Sequence, residues 1–248
     1  MDTATLCPLT EAEILAAVAA QRDEAVAFLQ ALVREPSLLG QEASAQALMK
    51  QRFASLGLDV RELVIDEAAL REHPGWSPSI VSYDGRVNVI GVHEPKAAAG
   101  AAPPRGRSLI LNGHIDVVPV GAERLWTRPP FEPWIDGDRL HGRGANDMKA
   151  GIVAYTMAMQ ALQRLGFEPA ARVVLQSVIE EECTGNGALA CLQAGYTADA
   201  AIIPEPFDEL LSAQLGVMWM TLDVYGVPVH AAVAQTGIGA IEFAQYLV

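Results

Sequence analysis

The stretch Leu109-Ile110-Leu111-Asn112-Gly113-His114-Ile115-Asp116 decides the fold. An apolar run that ends in polar residues is typical of a buried strand that presents side chains at its carboxyl end. His114 and Asp116 are two residues apart, so in an extended chain their side chains point the same way. Such a pair suits a metal ligand with its orienting partner, or a base, although a lone histidine at a strand end is more often structural.

Further carboxylates stand where predicted strands end or a predicted helix begins. They are Asp147, before the helix predicted at 149–165, the triplet Glu180, Glu181 and Glu182, after the apolar run 173–179, and Glu205, after the run 200–203. Converged carboxylates repel one another and are costly to bury. We therefore expect a cation among them, and one imidazole with several carboxylates suits zinc, with cobalt or manganese as substitutes.

Four strings in this order, GHIDVVPVG, GRGANDMKAG, EEECTGNGA and PEP, resemble the motifs of the two-zinc hydrolase family that includes acetylornithine deacetylase, succinyl-diaminopimelate desuccinylase, aminoacylase and glutamate carboxypeptidase. The resemblance is close from Leu109 to Val248 and looser before it. It implies an α/β fold with a mixed, mostly parallel sheet and helices on both faces, followed by the start of an α+β lid domain. The implied domains are 1–210, the first part of the catalytic domain, and 211–248, the start of the lid.

The resemblance also implies a set of metal ligands. His114 and Glu205 bind one metal, Glu182 binds the other, and Asp147 bridges the two. A complete subunit would hold two zinc ions, for which cobalt can substitute. The peptide bond after Asp147 is expected to be cis, although Met148 is not a proline.

Three residues receive catalytic roles from the same resemblance. Glu181 is the general base, and Asp116 orients the imidazole of His114. His230, in the lid, reaches across a homodimer to the active site of the partner subunit. The alternatives are a solvated turn for the acidic triplet 180–182 and a simple strand end for His230.

The implied activity is hydrolysis of the amide bond of an N-acyl amino acid, as in acetylornithine deacetylase. Glutamate rather than aspartate between Pro204 and Pro206 favours deacylases over a metallo-exopeptidase of the same fold, which acts on short peptides. A non-catalytic fragment or binding protein is the second alternative. Because the family supplies its last histidine ligand from beyond the lid, we expect the chain that ends at Val248 to hold at most one zinc tightly and to be inactive.

Composition restricts the partners. The chain has 17 Lys and Arg against 30 Asp and Glu, a net charge of −13, which argues against nucleic acid or an anionic membrane. The apolar fraction of 51% over 248 residues fits one large domain, or one with part of a second. The sequence has no run of ~20 apolar residues and no signal-peptide pattern, so we expect a cytoplasmic protein. Three cysteines fit reduced thiols.

The remaining elements are predicted from periodicity and capping signals. They are one helix from a capping box at Thr10 and Glu13 to Pro36, a helix at 42–56 ended by Gly57, strands at 58–65 and 88–92, a surface loop at 94–107, a helix after Gly187, and a lid strand at 214–225. The aromatic, proline-rich loop from Trp126 to Trp134 either walls a substrate pocket or covers the edge of the core.

Overall fold

The computed structural model describes residues 9–95, 106–207, 210–211 and 220–246. The chain divides into two units, Met1–Asp208 and Glu209–Val248. Within the described ranges, no helix has the length and apolar character needed to cross a membrane.

The first unit alternates helices and strands. Its helices are α1 Glu11–Ala19, α2 Arg22–Arg34, α3 Ala43–Ser55, α4 Glu67–Leu70, α5 Ala150–Arg164 and α6 Asn186–Gln193. Its strands are β1 Asp59–Val64, β2 Val87–His93, β3 Leu109–His114, β4 Trp134–Asp136, β5 Arg139–His141, β6 Val173–Val178 and β7 Ala200–Ile202. A short 3-10 helix, Glu123–Leu125, and a π-helical turn, Ala145–Lys149, lie between them.

Five strands form one sheet in the order β1-β2-β6-β3-β7. β3 lies between β6 and β7 and is parallel to both, whereas β2 is antiparallel to its neighbours β1 and β6. Four of the five strands therefore run in one direction, which confirms the predicted mixed, mostly parallel sheet. The register pairs Leu109 with Val173 and His114 with Val178, so β3 and β6 end together.

Apolar side chains cover both faces of this sheet. One face packs against α2, α3 and α5 through residues such as Leu32, Phe53 and Ile152. On the other face, Ile90 of β2 joins a smaller cluster that includes Cys191 of α6. Complete burial of one such large side chain stabilises the fold by about 1.5–3 kcal/mol. Helices on both faces explain why β6 is buried along its whole length.

The N-terminal region differs from the prediction of a single helix. The capping box is confirmed, since Glu13 N donates to Thr10 Oγ1 (3.3 Å) and Thr10 N donates to Glu13 Oε2 (2.7 Å). The helix nevertheless breaks between α1 and α2 at Gln21, whose side chain is buried and donates to the carbonyl oxygen of Ala17 at 3.0 Å. Gln21 Nε2 also lies 3.4 Å from the carbonyl oxygen of Met157, a residue of α5.

Two other loop predictions need correction or lie outside the described residues. The loop predicted to end at Trp134 runs into a hairpin, β4–β5, with Gly137 in its turn at φ 57°. Most of the predicted surface loop, 96–105, and most of the predicted lid strand, 212–219, lie outside the described residues. Residues 220–226 carry no strand.

The second unit contains three short elements among its described residues. Val227 and Ile238 form an isolated antiparallel bridge around the 3-10 helix Ala231–Thr236, and α7 spans Ala240–Gln245.

Candidate metal centre

The carboxyl ends of three adjacent parallel strands carry the predicted site. β3 ends at His114, β7 leads to Glu205, and β6 leads to the acidic triplet 180–182. Asp147 lies in the π-helical turn before α5. Because parallel neighbours end at the same edge of a sheet, residues that are far apart in sequence meet there.

The imidazole of His114 is at the centre of this group. Its Nε2 lies 3.1 Å from Asp147 Oδ1, 3.7 Å from Glu205 Oε1 and 3.8 Å from Glu181 Oε2. One potential ligand atom from each of His114, Asp147 and Glu205 lies within 4.8 Å of the other two. The imidazole is buried, whereas 55% of the Asp147 side chain is exposed, so the group is open to solvent on the carboxylate side.

The hydrogen bonding of His114 leaves Nε2 facing negative charge. Nδ1 lies 2.9 Å from the carbonyl oxygen of Asp116, which can only accept, so Nδ1 carries a proton. In the neutral ring Nε2 is then an acceptor that faces carboxylate oxygens. Burial lowers the pKa of His114, but the carboxylates of Asp116, Glu181 and Glu205 outweigh it and raise the pKa overall. A cation at Nε2 satisfies all of these acceptors together.

Asp116 contacts the site through both its main chain and its carboxylate. Its main-chain carbonyl, rather than its carboxylate, makes the close contact with His114, and the nearer carboxylate oxygen is 3.6 Å from Nδ1. The carboxylate instead accepts from the main-chain N–H groups of Glu181 (3.2 Å) and Glu182 (3.1 Å). Burial raises the pKa of Asp116 to about 6. Asp116 thus connects β3 to the turn after β6.

Glu182 lies beside the cluster without belonging to its closest three residues. Burial, together with the nearby carboxylates of Asp147 and Glu181, raises the pKa of Glu182 to about 7. The carboxylates of Asp147, Glu181 and Glu205 lie within 3.8 Å of one imidazole, so the edge carries more carboxylates than that imidazole neutralises. The donor set of imidazole and carboxylates is one that zinc accepts, so the residues present fit the predicted metal.

His230 belongs to the second unit. There its Nδ1 accepts from the main-chain N–H of Ala232 at 3.1 Å, at the start of the 3-10 helix. The predicted role of His230 in a partner's active site stays a prediction.

Glu180, the first member of the triplet, has a role that the sequence did not reveal. It is fully buried and adopts φ 65°, a value that non-glycine residues seldom adopt. Arg86 Nη1 donates to Glu180 Oε1 at 2.7 Å, Thr184 Oγ1 donates to Oε2 at 2.8 Å, and the Tyr83 hydroxyl donates to Oε2 as well. These bonds fix the turn from which Glu181 and Glu182 project. Arg86 is 94 residues away in sequence, and no spacing signal connects the two.

Lys149 is a second buried group that the sequence did not reveal. Its ammonium donates to the carbonyl oxygens of Leu32 (2.8 Å) and Glu35 (2.9 Å), and burial lowers its pKa to about 7. The bonds join the turn that carries Asp147 to the end of α2. The peptide bond between Asp147 and Met148 is cis, which confirms the prediction made from the resemblance.

The sequence that forms this site matches a known family. Residues 110–240, more than half of the chain, match the sequence model described as Peptidase family M20/M25/M40. The chain belongs to this family. The resemblance seen in the sequence motifs is therefore confirmed.

Two curated relatives give the scale of the similarity within this family. This chain is 32% identical over 215 residues to N-formyl-4-amino-5-aminomethyl-2-methylpyrimidine deformylase of Halalkalibacterium halodurans. The matched region covers 85% of this chain and 45% of that protein. The chain is 30% identical over 212 residues to succinyl-diaminopimelate desuccinylase of Variovorax paradoxus, covering 81% and 49%. The chain thus spans about half the length of the curated relatives it matches.

Solved structures share the fold. The dipeptidase Dug1p of Saccharomyces cerevisiae superposes with a TM-score of 0.61 at 16% identity, over 78% of this chain and 40% of that one. Human carnosine dipeptidase 1 gives 0.59 at 19% identity with the same coverage. A tripeptidase from Staphylococcus aureus gives 0.54 at 23% identity, over 90% and 54%. At these identities the similarity concerns the fold alone.

Proposed function

We propose that this protein is a metal-dependent amidohydrolase that removes the acyl group from a small N-acylated amine, in particular an N-acyl amino acid. The observation that carries the proposal is the convergence of ligand atoms from His114, Asp147 and Glu205 within 4.8 Å at the edge of the sheet. Family membership supports it. The chain spans about half the length of these curated relatives, so the activity of the whole protein is a proposal.

We propose zinc as the metal, with cobalt as a substitute. His114 and Glu205 would hold one ion, Glu182 another, and Asp147 both. Bound metal would acidify a water molecule and polarise the amide carbonyl of the substrate. The closeness of Glu182 to the carboxylates of Asp147 and Glu181 supports this assignment, because a cation would offset their mutual repulsion.

Glu181 is proposed as the general base. Half of its side chain is exposed, and its carboxylate lies 3.8 Å from His114 Nε2, close to the proposed ligands but outside their closest set. It would take the proton of the attacking water and return it to the leaving amine. The Asp116 carboxylate holds the main-chain N–H of Glu181 and so keeps the base beside the substrate.

A deacylase is proposed over a peptidase because the names of the two curated relatives describe removal of a formyl and a succinyl group. N-acetylornithine stays one candidate substrate among several N-acyl compounds. We also propose that 1–210 forms part of the catalytic domain and that 211–248 begins a lid through which two chains dimerise and exchange His230. A cytoplasmic location stays a prediction.

Replacement of the base tests the proposed function. We expect Glu181→Gln to lower kcat on N-acyl amino acids by about 100- to 10,000-fold, the usual contribution of general acid–base catalysis. Metal content, measured by mass spectrometry, should equal that of the wild type, and Glu72→Gln, which alters an exposed carboxylate of the same unit, should leave both unchanged. Loss of metal together with activity would make Glu181 a ligand. Faster cleavage of dipeptides than of N-acyl amino acids by the wild type would favour the peptidase.

A further inference from the structure

A cavity of about 320 Å³ lies beside the candidate metal centre, between the loop at 126–130 and the β4–β5 hairpin. Its lining includes three aromatic rings and one cation. These are Trp126, Trp134, His141 and Arg128. This volume is sufficient for a monocyclic or bicyclic ring system.

The aromatic walls are held in place before any ligand binds. Trp134 and His141 are directly opposite each other in the hairpin, and their rings stack with centroids 4.1 Å apart and planes at 11°. The indole N–H of Trp126 donates to the carbonyl oxygen of Val120 at 2.8 Å. Fixed rings lose little freedom when a planar ligand stacks on them, so the cavity favours an aromatic group.

Cations surround these rings without acidic partners. The guanidinium of Arg128 lies 4.6 Å from the ring centre of Trp134, and that of Arg143 lies 5.2 Å from that of Trp126. Within the described part of the chain, neither guanidinium forms an ion pair with a carboxylate. This is unusual in a protein of net charge −13. Arg143 donates to the carbonyl oxygen of Pro119 at 3.3 Å, so the cation that the cavity itself offers an anionic ligand is Arg128.

Two buried nitrogen atoms, one in the cavity lining and one on the residue after Gly142 of that lining, lack partners. Arg143 Nε is a donor, buried and without an acceptor, and His141 Nε2 is also buried without a hydrogen-bond partner. Buried polar atoms in native structures are nearly always paired, so each of these requires an explanation. An oxygen-bearing ligand in the cavity would supply an acceptor for His141 Nε2 in the tautomer that carries its proton there.

The chain itself connects this cavity to the metal centre. Ala145 and Asn146 line the cavity, and Asp147, the next residue, lies 3.1 Å from His114 Nε2. The cavity lining therefore reaches, along the chain, to the residue before the carboxylate cluster. The sequence had left open whether this aromatic loop walls a pocket or covers the core edge, and a cavity with an unpaired cation agrees with the first interpretation.

We propose that the cavity bounded by Trp126, Trp134 and Arg128 binds the aromatic side chain and carboxylate of the substrate, so that N-acyl aromatic amino acids are preferred over aliphatic ones. This inference rests on the proposed function for the reaction. The binding part of the inference is independent of the proposed function, because the cavity is built from protein groups alone.

The test uses two acyl amino acids of similar size, N-acetyl-L-phenylalanine and N-acetyl-L-leucine, with the full-length zinc-loaded protein. Trp134→Leu removes the ring and keeps an apolar side chain, and Arg128→Gln removes the cation from an exposed position that folding tolerates. Arg124→Gln, an exposed arginine of the neighbouring 3-10 helix outside the cavity lining, is the matched control. Binding of N-acetyl-L-phenylalanine to the metal-free protein is measured separately by calorimetry.

We expect the ratio of kcat/KM for the phenylalanine compound over the leucine compound to fall by about three- to tenfold in Trp134→Leu, the range for loss of one aromatic contact. The calorimetric Kd should rise by a similar factor in Trp134→Leu and in Arg128→Gln, and Arg124→Gln should match the wild type. Binding with this pattern in a protein that hydrolyses neither compound would support the cavity and reject the proposed function. Hydrolysis of both compounds with an unchanged ratio in Trp134→Leu, or absence of binding by the metal-free protein, would overturn the inference.

Discussion

Two groups of carboxylates in this protein differ in what neutralises their charge. Glu180 belongs to one group, and the next residue, Glu181, belongs to the other. Glu180 is inside the fold with Glu42, and Arg86 lies between them, 2.7 Å from Glu180 and 2.5 Å from Glu42. Glu181, the next residue, faces the opening at the sheet edge together with Asp147 and Glu205, which have only His114 to offset them.

The difference lies in what neutralises the charge. Burial lowers the pKa of Arg86, but hydrogen bonds and attraction to Glu42 and Glu180 outweigh this and raise it overall, so the guanidinium stays charged. Around His114 the described chain supplies no arginine or lysine in ion-pairing distance of the carboxylates. The protein therefore completes one acidic group with its own cation and leaves the other to be completed by a metal.

Among these substitutions, removal of Arg86, the cation of the first group, should have the largest effect on stability. We expect Arg86→Leu to lower the free energy of unfolding by about 3–5 kcal/mol, because it leaves two buried carboxylates without a partner. Urea unfolding in the presence of a chelator measures this stability without a contribution from metal.

The control for Arg86 is an exposed pair. Arg61→Leu removes the partner of Asp59, whose side chain is 58% exposed, and should lower the free energy of unfolding far less than Arg86→Leu does. Equal effects of the two substitutions would show that the Arg86 network is no more important than a surface ion pair.

Removal of a carboxylate from the second group should act on metal rather than on folding. We expect Glu205→Gln to weaken zinc binding by about 10- to 100-fold or more, since even indirect partners of a metal ligand contribute that much. In chelator its unfolding free energy should change by less than about 1 kcal/mol, because the substitution also relieves repulsion. Glu72→Gln is the control in the zinc titration. A large loss of metal-free stability in Glu205→Gln would mean that Glu205 is structural, as Glu180 is.

The residues alone predicted strands with polar ends, since the apolar runs that end at His114 and before Glu205 contain β3 and β7. The mixed, mostly parallel sheet was implied by the resemblance of the four motifs to the two-zinc hydrolase family. Asp136-Gly137 is a hairpin signal in the sequence, and it marks the turn between β4 and β5.

Other features could not be predicted because they depend on tertiary contacts. The break between α1 and α2 has no proline or glycine to mark it and follows from the burial of Gln21. The sequence shows three equivalent glutamates at 180–182. Only the fold shows that Arg86 and Tyr83, 94 and 97 residues away, select Glu180 as the internal one.

The most direct test of this account is to locate zinc in crystals of the protein by anomalous diffraction at the zinc edge. The account predicts a peak roughly 2.0–2.2 Å from His114 Nε2 and from carboxylate oxygens of Asp147 and Glu205. Zinc bound elsewhere, with these three side chains in contact with one another and no peak between them, would contradict the claim that the fold leaves this acidic group for a metal.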